Sequence, residues 1–260
     1  MSVDFQILGS SSAGNSSYLS TPETKILIDV GFTGKKVQEM LKTIGQDIDD
    51  IDAIFLTHEH SDHCIGVKGL ARNPELGFFA NRDTANAIQA KMTRKAYWNL
   101  FETGTTFQYR DLEITTFSIP HDAYDPVGYI FKHEEKSLAW VTDLGYIPKL
   151  VQEKIRDVDI LVLEANYDEK LLDEDTKRPW SIKQRIKGRH GHLSNDDAFE
   201  FISTVNKPAW KQVYLAHLSR DCNNVEKLRN LFSSLLNPHN PFEIEIINPY
   251  ENPISSIALT

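Results

Sequence analysis

Within Thr57-His58-Glu59-His60-Ser61-Asp62-His63, four potential metal ligands, His58, His60, Asp62 and His63, fall inside six residues. Imidazole nitrogen and carboxylate oxygen suit Zn²⁺, Mn²⁺ or Fe²⁺, and such tight spacing lets one loop reach two ions from different sides. A lone histidine is ordinarily a surface or core residue. Three histidines with an aspartate, directly after the apolar run Ala53-Ile54-Phe55-Leu56, point elsewhere. Burying four such groups without metal would leave costly unpaired polar atoms.

Those groups need strands to aim them. Short runs rich in Val, Ile, Phe and Tyr predict strands at Val3–Leu8, Lys25–Asp29, Ala53–Leu56, Leu112–Ile119, Val127–Phe131, Ser137–Val141, Asp159–Leu163 and Gln212–Leu215. Apolar periodicity predicts helices at Gly34–Thr43, Asp83–Met92, Pro148–Lys154, Asn195–Val205 and Val225–Leu236. Ser194 reads as the N-cap of the fourth, with Asp196 and Asp197 favourable in its first turn. Asn237–Pro241 reads as a surface turn before a closing strand. No repeat or linker divides the chain, so residues 1–260 are read as one domain. Strands clustered early and in the middle, with helices between groups, fit two sheets packed face to face with helices outside.

Composition narrows the setting. The chain of 260 residues is 40% hydrophobic, and no run approaches the ~18 apolar residues of a membrane-spanning helix. The opening Met1-Ser2-Val3-Asp4-Phe5 reads as a strand start rather than a secretory leader. Two cysteines, Cys64 and Cys222, form no disulfide framework, which makes a reduced, cytoplasmic setting the default. A net charge of −9 excludes a globally polyanion-binding surface. The block from Lys177 to Arg189 stands apart: Lys177, Arg178, Lys183, Arg185, Lys187 and Arg189 occur there without one acidic residue. Such a block is either a solvated helix face or a site for phosphates.

The His-x-His-x-Asp-His segment resembles the signature of the metallo-β-lactamase superfamily, and later landmarks follow in order. His121 ends Ser118-Ile119-Pro120-His121, Asp143 ends Ala139-Trp140-Val141-Thr142-Asp143, and His217 follows Tyr214-Leu215-Ala216. The resemblance implies an αββα sandwich. It implies that His58, His60 and His121 hold one ion and Asp62, His63 and His217 a second, with Asp143 and a hydroxide bridging both. Such a pair of ions lowers the pKa of water and polarises the substrate's electrophilic centre. Glu59 lies in the motif without being a ligand and is expected to orient the loop.

Within that superfamily the chain resembles the YycJ (WalJ) branch. The resemblance rests on Gly9-Ser10-Ser11-Ser12-Ala13-Gly14-Asn15-Ser16, and on Trp180-Ser181-Ile182-Lys183-Gln184-Arg185-Ile186 preceding Gly191-His192-Leu193-Ser194-Asn195. Asp62 in place of a cysteine argues against the zinc β-lactamases. Glu164, at the end of an apolar strand, resembles the glutamate that pairs with a histidine in the tRNase Z and phosphodiesterase branches. The resemblance therefore implies His192 as general acid, Glu164 as its partner, and Asp62 among the catalytic groups. Protonating a poor alkoxide leaving group is worth about 10²–10⁴-fold. Ser12, Asn15, Lys183, Arg185, Arg189, Ser194 and Arg220 are the expected substrate contacts. Trp180 is either a base-stacking or a core residue. The implied activity is a metal-dependent phosphodiesterase, a DNA exonuclease acting from 5′ ends. RNA or a small phosphodiester is the alternative substrate, and a thioesterase of the glyoxalase II type the more distant one.

Overall fold

Alternation along the strands dictates the layers. The computed structural model describes residues 3–237, 239–250 and 255–259. In β3 (Lys25–Ile28), Ile26 and Ile28 point into one apolar layer and Leu27 into another. In β11 (Ile160–Glu164), Ile160 and Val162 join the same inner layer as Ile26 and Ile28, while Leu161 and Leu163 face outward. Strands that are apolar on both faces must be covered on both, which calls for a partner sheet on one side and helices on the other.

The first sheet contains β1 (Val3–Ser11), β2 (Gly14–Ser20), β3, β4 (Ala53–Phe55), β5 (Gly77–Asn81), β6 (Tyr97–Phe101) and β14 (Ser255–Leu259), in the order β14-β1-β2-β3-β4-β5-β6. The second contains β7 (Thr106–Tyr109), β8 (Leu112–Ser118), β9 (Val127–His133), β10 (Lys136–Val141), β11, β12 (Gln212–Ala216) and β13 (Glu243–Ile246), in the order β13-β12-β11-β10-β9-β8-β7. Between them Phe5, Phe55, Tyr129, Phe131, Trp140 and Tyr214 form an aromatic-rich inner core. α1 (Gly34–Thr43), α3 (Val67–Leu70) and α4 (Arg82–Ala90) cover the outside of the first sheet through Val37, Leu70 and Ile88. α5 (Lys149–Ile155), α8 (Asn195–Thr204) and α9 (Val225–Leu231) cover the second through Val151, Phe201 and Leu228. This is an αββα sandwich.

Every expected strand and helix is present within a few residues of its expected bounds. Ser194 caps α8 as expected, its hydroxyl accepting from Asp197 N–H at 3.0 Å. The turn expected at Asn237–Pro241 contains Pro238, and Met1 and Ser2 belong to the expected strand start; all three lie outside the described residues. The sequence reading missed β2, whose Gly-Asn-Ser-Ser-Tyr-Leu-Ser composition looks like a turn. All seven of its residues are buried, because pairing with β1 and β3 satisfies the backbone and Ser16 Oγ donates to Asp29 O at 2.9 Å. The glycine- and serine-rich segment at residues 9–16 is thus a hairpin closing at Ser11↔Gly14.

β3 runs parallel to β4, and β10, β11 and β12 run parallel to one another. Loops leaving these strands, together with the one leaving β8, meet at one edge of the sandwich. Three residues there, Asp29, Asp143 and His217, adopt left-handed backbone at φ 58, 63 and 57. Asp and His tolerate this region better than most residues, at a cost of order 1–3 kcal/mol each. That backbone turns each chain sharply off its strand and into the cleft.

Candidate active site

His58, His60 and His121 bring one nitrogen each within 4.8 Å of one another. Asp62, His63, Asp143 and His217 form a second such group, and Asp143, Glu164, His192 and His217 a third. The His121 Nε2–His60 Nδ1 separation is 3.2 Å. Two nitrogens at the usual 2.0–2.1 Å from a tetrahedral ion stand about 3.3 Å apart. Asp143 lies between the first two groups, with Oδ2 3.1 Å from His63 Nε2 and Oδ1 3.4 Å from His217 Nε2 and 3.8 Å from His121 Nε2. His58 Nε2, His217 Nε2 and Asp143 Oδ2 are buried without a hydrogen-bond partner among the described residues. Buried polar atoms of that kind are costly unless something else satisfies them, and divalent ions fit both the donor set and the orphaned atoms.

The imidazoles of His58, His63, His121 and His217 are oriented from behind, which fixes the nitrogen each presents. His63 Nδ1 donates to Asp29 Oδ2 at 2.8 Å, and His121 Nδ1 to Gly191 O at 3.0 Å. His58 Nδ1 lies 3.0 Å from Thr57 Oγ1, which itself donates to Asp29. His217 Nδ1 donates to Glu164 Oε1 at 2.8 Å. The same Oε1 accepts from His192 Nδ1 at 2.8 Å, while Oε2 accepts from the backbone N–H groups of Leu144 and Leu193. Glu164 therefore serves two histidines, not the one expected from the sequence. Burial would push its carboxyl up, but His192 and His217 hold it down at about 2. Burial alone would likewise lower His192, yet the Glu164 charge and hydrogen bond, with Asp143 behind them, raise it.

Asp29, Asn166 and Ser10 escaped the sequence reading. Asp29 holds His63 directly and His58 through the Thr57 hydroxyl, and Asn166 Nδ2 donates to His217 O at 2.7 Å. Ser10 Oγ accepts from His217 N–H at 2.9 Å and donates to Asn15 Oδ1 at 2.8 Å. A lone aspartate, asparagine or serine at a strand end carries no sequence signal; only the partner it meets reveals it. Glu59 accepts from Tyr124 N–H at 3.1 Å, joining the motif loop to the loop after His121. Gly31 is required by a close approach, since a Cβ there would stand 1.6 Å from Asp62 O. Gly31→Ala is expected to destabilise the fold by about 1–3 kcal/mol and to lower bound metal. Urea unfolding and elemental analysis check both effects.

The expected substrate contacts divide. Ser12 is exposed, its N–H bonded to Leu218 O beside His217. Asn15 is buried and braces the site, with Nδ2 3.1 Å from His63 Nε2. Ser194 is consumed as a helix cap. Lys183, on α7 (Trp180–Lys187), is buried with its amine donating to Asp173 O at 2.7 Å. Arg185 pairs with Asp122, the residue after His121. Arg189 stacks over Tyr146 at 4.4 Å, and Arg220 donates to Pro249 O at 3.0 Å. Lys177 and Arg178 pair with Asp221, and Lys187 with Asp173. The basic block is thus largely neutralised, by Asp173 and Asp175 just before it in sequence and by the distant Asp122 and Asp221. Trp180 is exposed, so it is no core residue. Cys64 and Cys222 lie in separate apolar clusters, and burial pushes the Cys64 thiol up to about 12.

Metal-free, His63 and His217, two of the buried imidazoles facing Asp143, bind a proton more tightly than a free imidazole does. Burial opposes this, but Asp143, with Asp62 and Glu164, carries His217 up to about 10, and Asp143, Asp29 and Asp62 raise His63. An ion can take those nitrogens only by displacing the protons, so metal affinity is expected to fall as pH is lowered. Calorimetric titration in buffers of different ionisation enthalpy should show net proton release at neutral pH.

A family model described as a β-lactamase superfamily domain matches residues 24–218, which span both histidine clusters. The chain belongs to the β-lactamase superfamily. Within the superfamily its relatives include the exodeoxyribonuclease YycJ of Bacillus anthracis, 36% identical over 240 residues covering 91% of this chain and 90% of the relative. The exodeoxyribonuclease WalJ of Streptococcus pneumoniae (strain D39) is 38% identical over 231 residues, covering 87% and 85%. These place the chain in the YycJ/WalJ-like branch. Among solved superfamily folds, YhfI of Bacillus subtilis superposes with a TM-score of 0.75 at 13% identity, covering 99% of this chain and 100% of that one. The short form of human tRNase Z superposes with a TM-score of 0.66 at 16% identity, covering 97% and 98%. At those identities the likeness concerns the fold.

Proposed function

We propose that this protein is a metal-dependent exodeoxyribonuclease that hydrolyses phosphodiesters, with His192 as general acid. The observation that carries the reading is the Glu164–His192 pair at 2.8 Å, set against the metal-ligand cluster. A thioesterase has little need of such an acid, because a thiolate leaves without help, whereas an alkoxide does not. Two relatives that match most of the chain, both named exodeoxyribonucleases, support the DNA assignment.

In this reading His58, His60 and His121 would hold one ion and Asp62, His63 and His217 the other, with Asp143, which lies between the two groups, contributing its carboxylate. Zn²⁺ or Mn²⁺ fits the imidazole and carboxylate donors, with Fe²⁺ also compatible. When bound, the ions supply Lewis acidity and a water of lowered pKa. The chain's own residues do the rest. As water adds to phosphorus and the P–O bond to the departing nucleoside breaks, His192 Nε2 delivers a proton to the leaving oxygen. Glu164 keeps Nδ1 protonated and holds the ring, which lies stacked 5.4 Å from His217. Asp29, Glu164 and Gly191 hold the rings of His63, His217 and His121 in their tautomers.

The deciding experiment offers metal-stripped protein, reloaded with Mn²⁺ or Zn²⁺, single- and double-stranded DNA and RNA labelled at either end. Progressive loss of the 5′ label from DNA is the expected result. Absence of DNA cleavage with every ion, alongside turnover of a thioester, would overturn the proposal.

A further inference from the structure

The phosphate track suggested by the sequence is neutralised, but another positive surface lies beside the metal loop. Residues 63–74 and 84–101 contain no aspartate or glutamate, in a chain with 37 carboxylates. The structure folds these two stretches together. Lys68 and Arg72 from the α3 region and Arg94 from the loop after α4 line a groove of about 470 Å³. All three are exposed, and none has an ion-pair partner among the described residues. In the basic block at 177–189, by contrast, Lys177, Arg178, Arg185 and Lys187 are all paired with carboxylates.

The groove is open because its floor lacks side chains. α1 and α3 approach at Gly34 and Gly69, where a Cβ on Gly34 would stand 3.3 Å from Gly69 Cα. It is also connected to the metal loop. Ile65 and Lys68 line both this groove and an adjoining cavity of about 170 Å³, whose walls include Ser61, Lys91 and one carboxylate, Glu59, which is buried and accepts from Tyr124 N–H. Ser61 stands between His60 and Asp62. Lys91 donates to Glu59 O at 3.4 Å, so its ammonium is held against the same loop. Ile65 is half exposed between the two hollows and offers an apolar contact to a sugar or base edge.

We propose that one DNA strand leaves the metal centre at Ser61 and crosses Ile65 into a basic groove built by Lys68, Arg72, Lys91 and Arg94. This rests on the nuclease reading and adds where the backbone runs. Unpaired lysine and arginine side chains exchange condensed counterions for phosphates, so each contact should contribute to the salt dependence of binding. An acidic protein needs such a local track, since its overall charge repels the substrate.

The test compares wild type with Lys68→Ala/Arg72→Ala/Arg94→Ala, a variant that removes only exposed side chains lacking ion pairs. Metal-loaded protein is titrated with a phosphorothioate-protected DNA oligonucleotide across a salt series, and bis-p-nitrophenyl phosphate turnover is measured in parallel. The slope of log Kd against log salt should fall by about two, and affinity near 0.1 M salt by roughly tenfold or more, while turnover of the small ester is retained. Lys177→Ala/Arg178→Ala/Lys187→Ala should change the slope by less than one. A triple variant with wild-type slope and affinity, in an enzyme that cleaves DNA, removes the track and leaves the nuclease. Proportional loss of small-ester turnover also counts against it, since that marks damage to the metal loop. Wild-type protein that hydrolyses the small ester but neither binds nor cuts DNA removes both readings.

Discussion

His192→Ala is expected to slow DNA hydrolysis by about 10²–10⁴-fold while leaving bound metal unchanged. The reason lies in connectivity. His192 touches Glu164 at 2.8 Å and rests on His217 by ring stacking, and its ring is not needed to complete either of the first two ligand groups. Removing it takes away the proton donor and leaves those groups intact. The size of the loss should depend on the leaving group. A p-nitrophenolate departs without protonation, so the same variant should lose far less activity on bis-p-nitrophenyl phosphate than on DNA. Comparable losses on both substrates, or loss of metal, would remove His192 from the acid role. Glu164→Gln should behave differently, because one carboxylate oxygen accepts from both His192 and His217. A lost outer partner of a metal ligand typically costs 10–100-fold in metal affinity, so this variant should lose metal and turnover together.

Asp143→Ala is the second large effect. Its two oxygens lie within 3.8 Å of nitrogens from His63, His121 and His217, and among the described residues no other carboxylate is placed against both groups. Burial would favour the neutral acid, but His217 and His63 hold its carboxyl well below the usual carboxylate range. Without it, the site loses the negative charge that lets two cations sit close together. Metal content should drop from two ions per chain to one or fewer, with affinity falling by more than the 10–100-fold of an outer-shell change. Hydrolysis of DNA and of the small ester should fail alike. Elemental analysis after dialysis, beside both activity assays, reads the result. A full complement of metal in the variant would show that Asp143 does not join the two sites.

Much of this was legible from residue types. The His58–His63 segment announced a donor cluster because four donors in six residues have no inexpensive apolar explanation, and the fold brings His121, Asp143 and His217 to it. The β11 and β12 runs announced strands, and Ser194 announced a helix start. What composition could not show was pairing over distance. β2 reads as a turn until β1 and β3 satisfy its backbone. Asp29 is one strand-end acid among many until His63 arrives 34 positions later, and Glu164 gains its second histidine only when β11 and β12 lie side by side.

The charge pattern shows the same division most clearly. Linear sequence displays a run of cations at 177–189, but electrostatic potential depends on every neighbour in space, and folding brings Asp122, Asp173 and Asp221 against that run. The cations at 68, 72, 91 and 94 look sparse in the chain, yet folding gathers them along two adjoining hollows in which Glu59 is the one carboxylate among the described residues. Donor type is local chemistry and so belongs to the sequence; the sign of the field around those donors is a sum over the folded surface, and tertiary structure alone decided it.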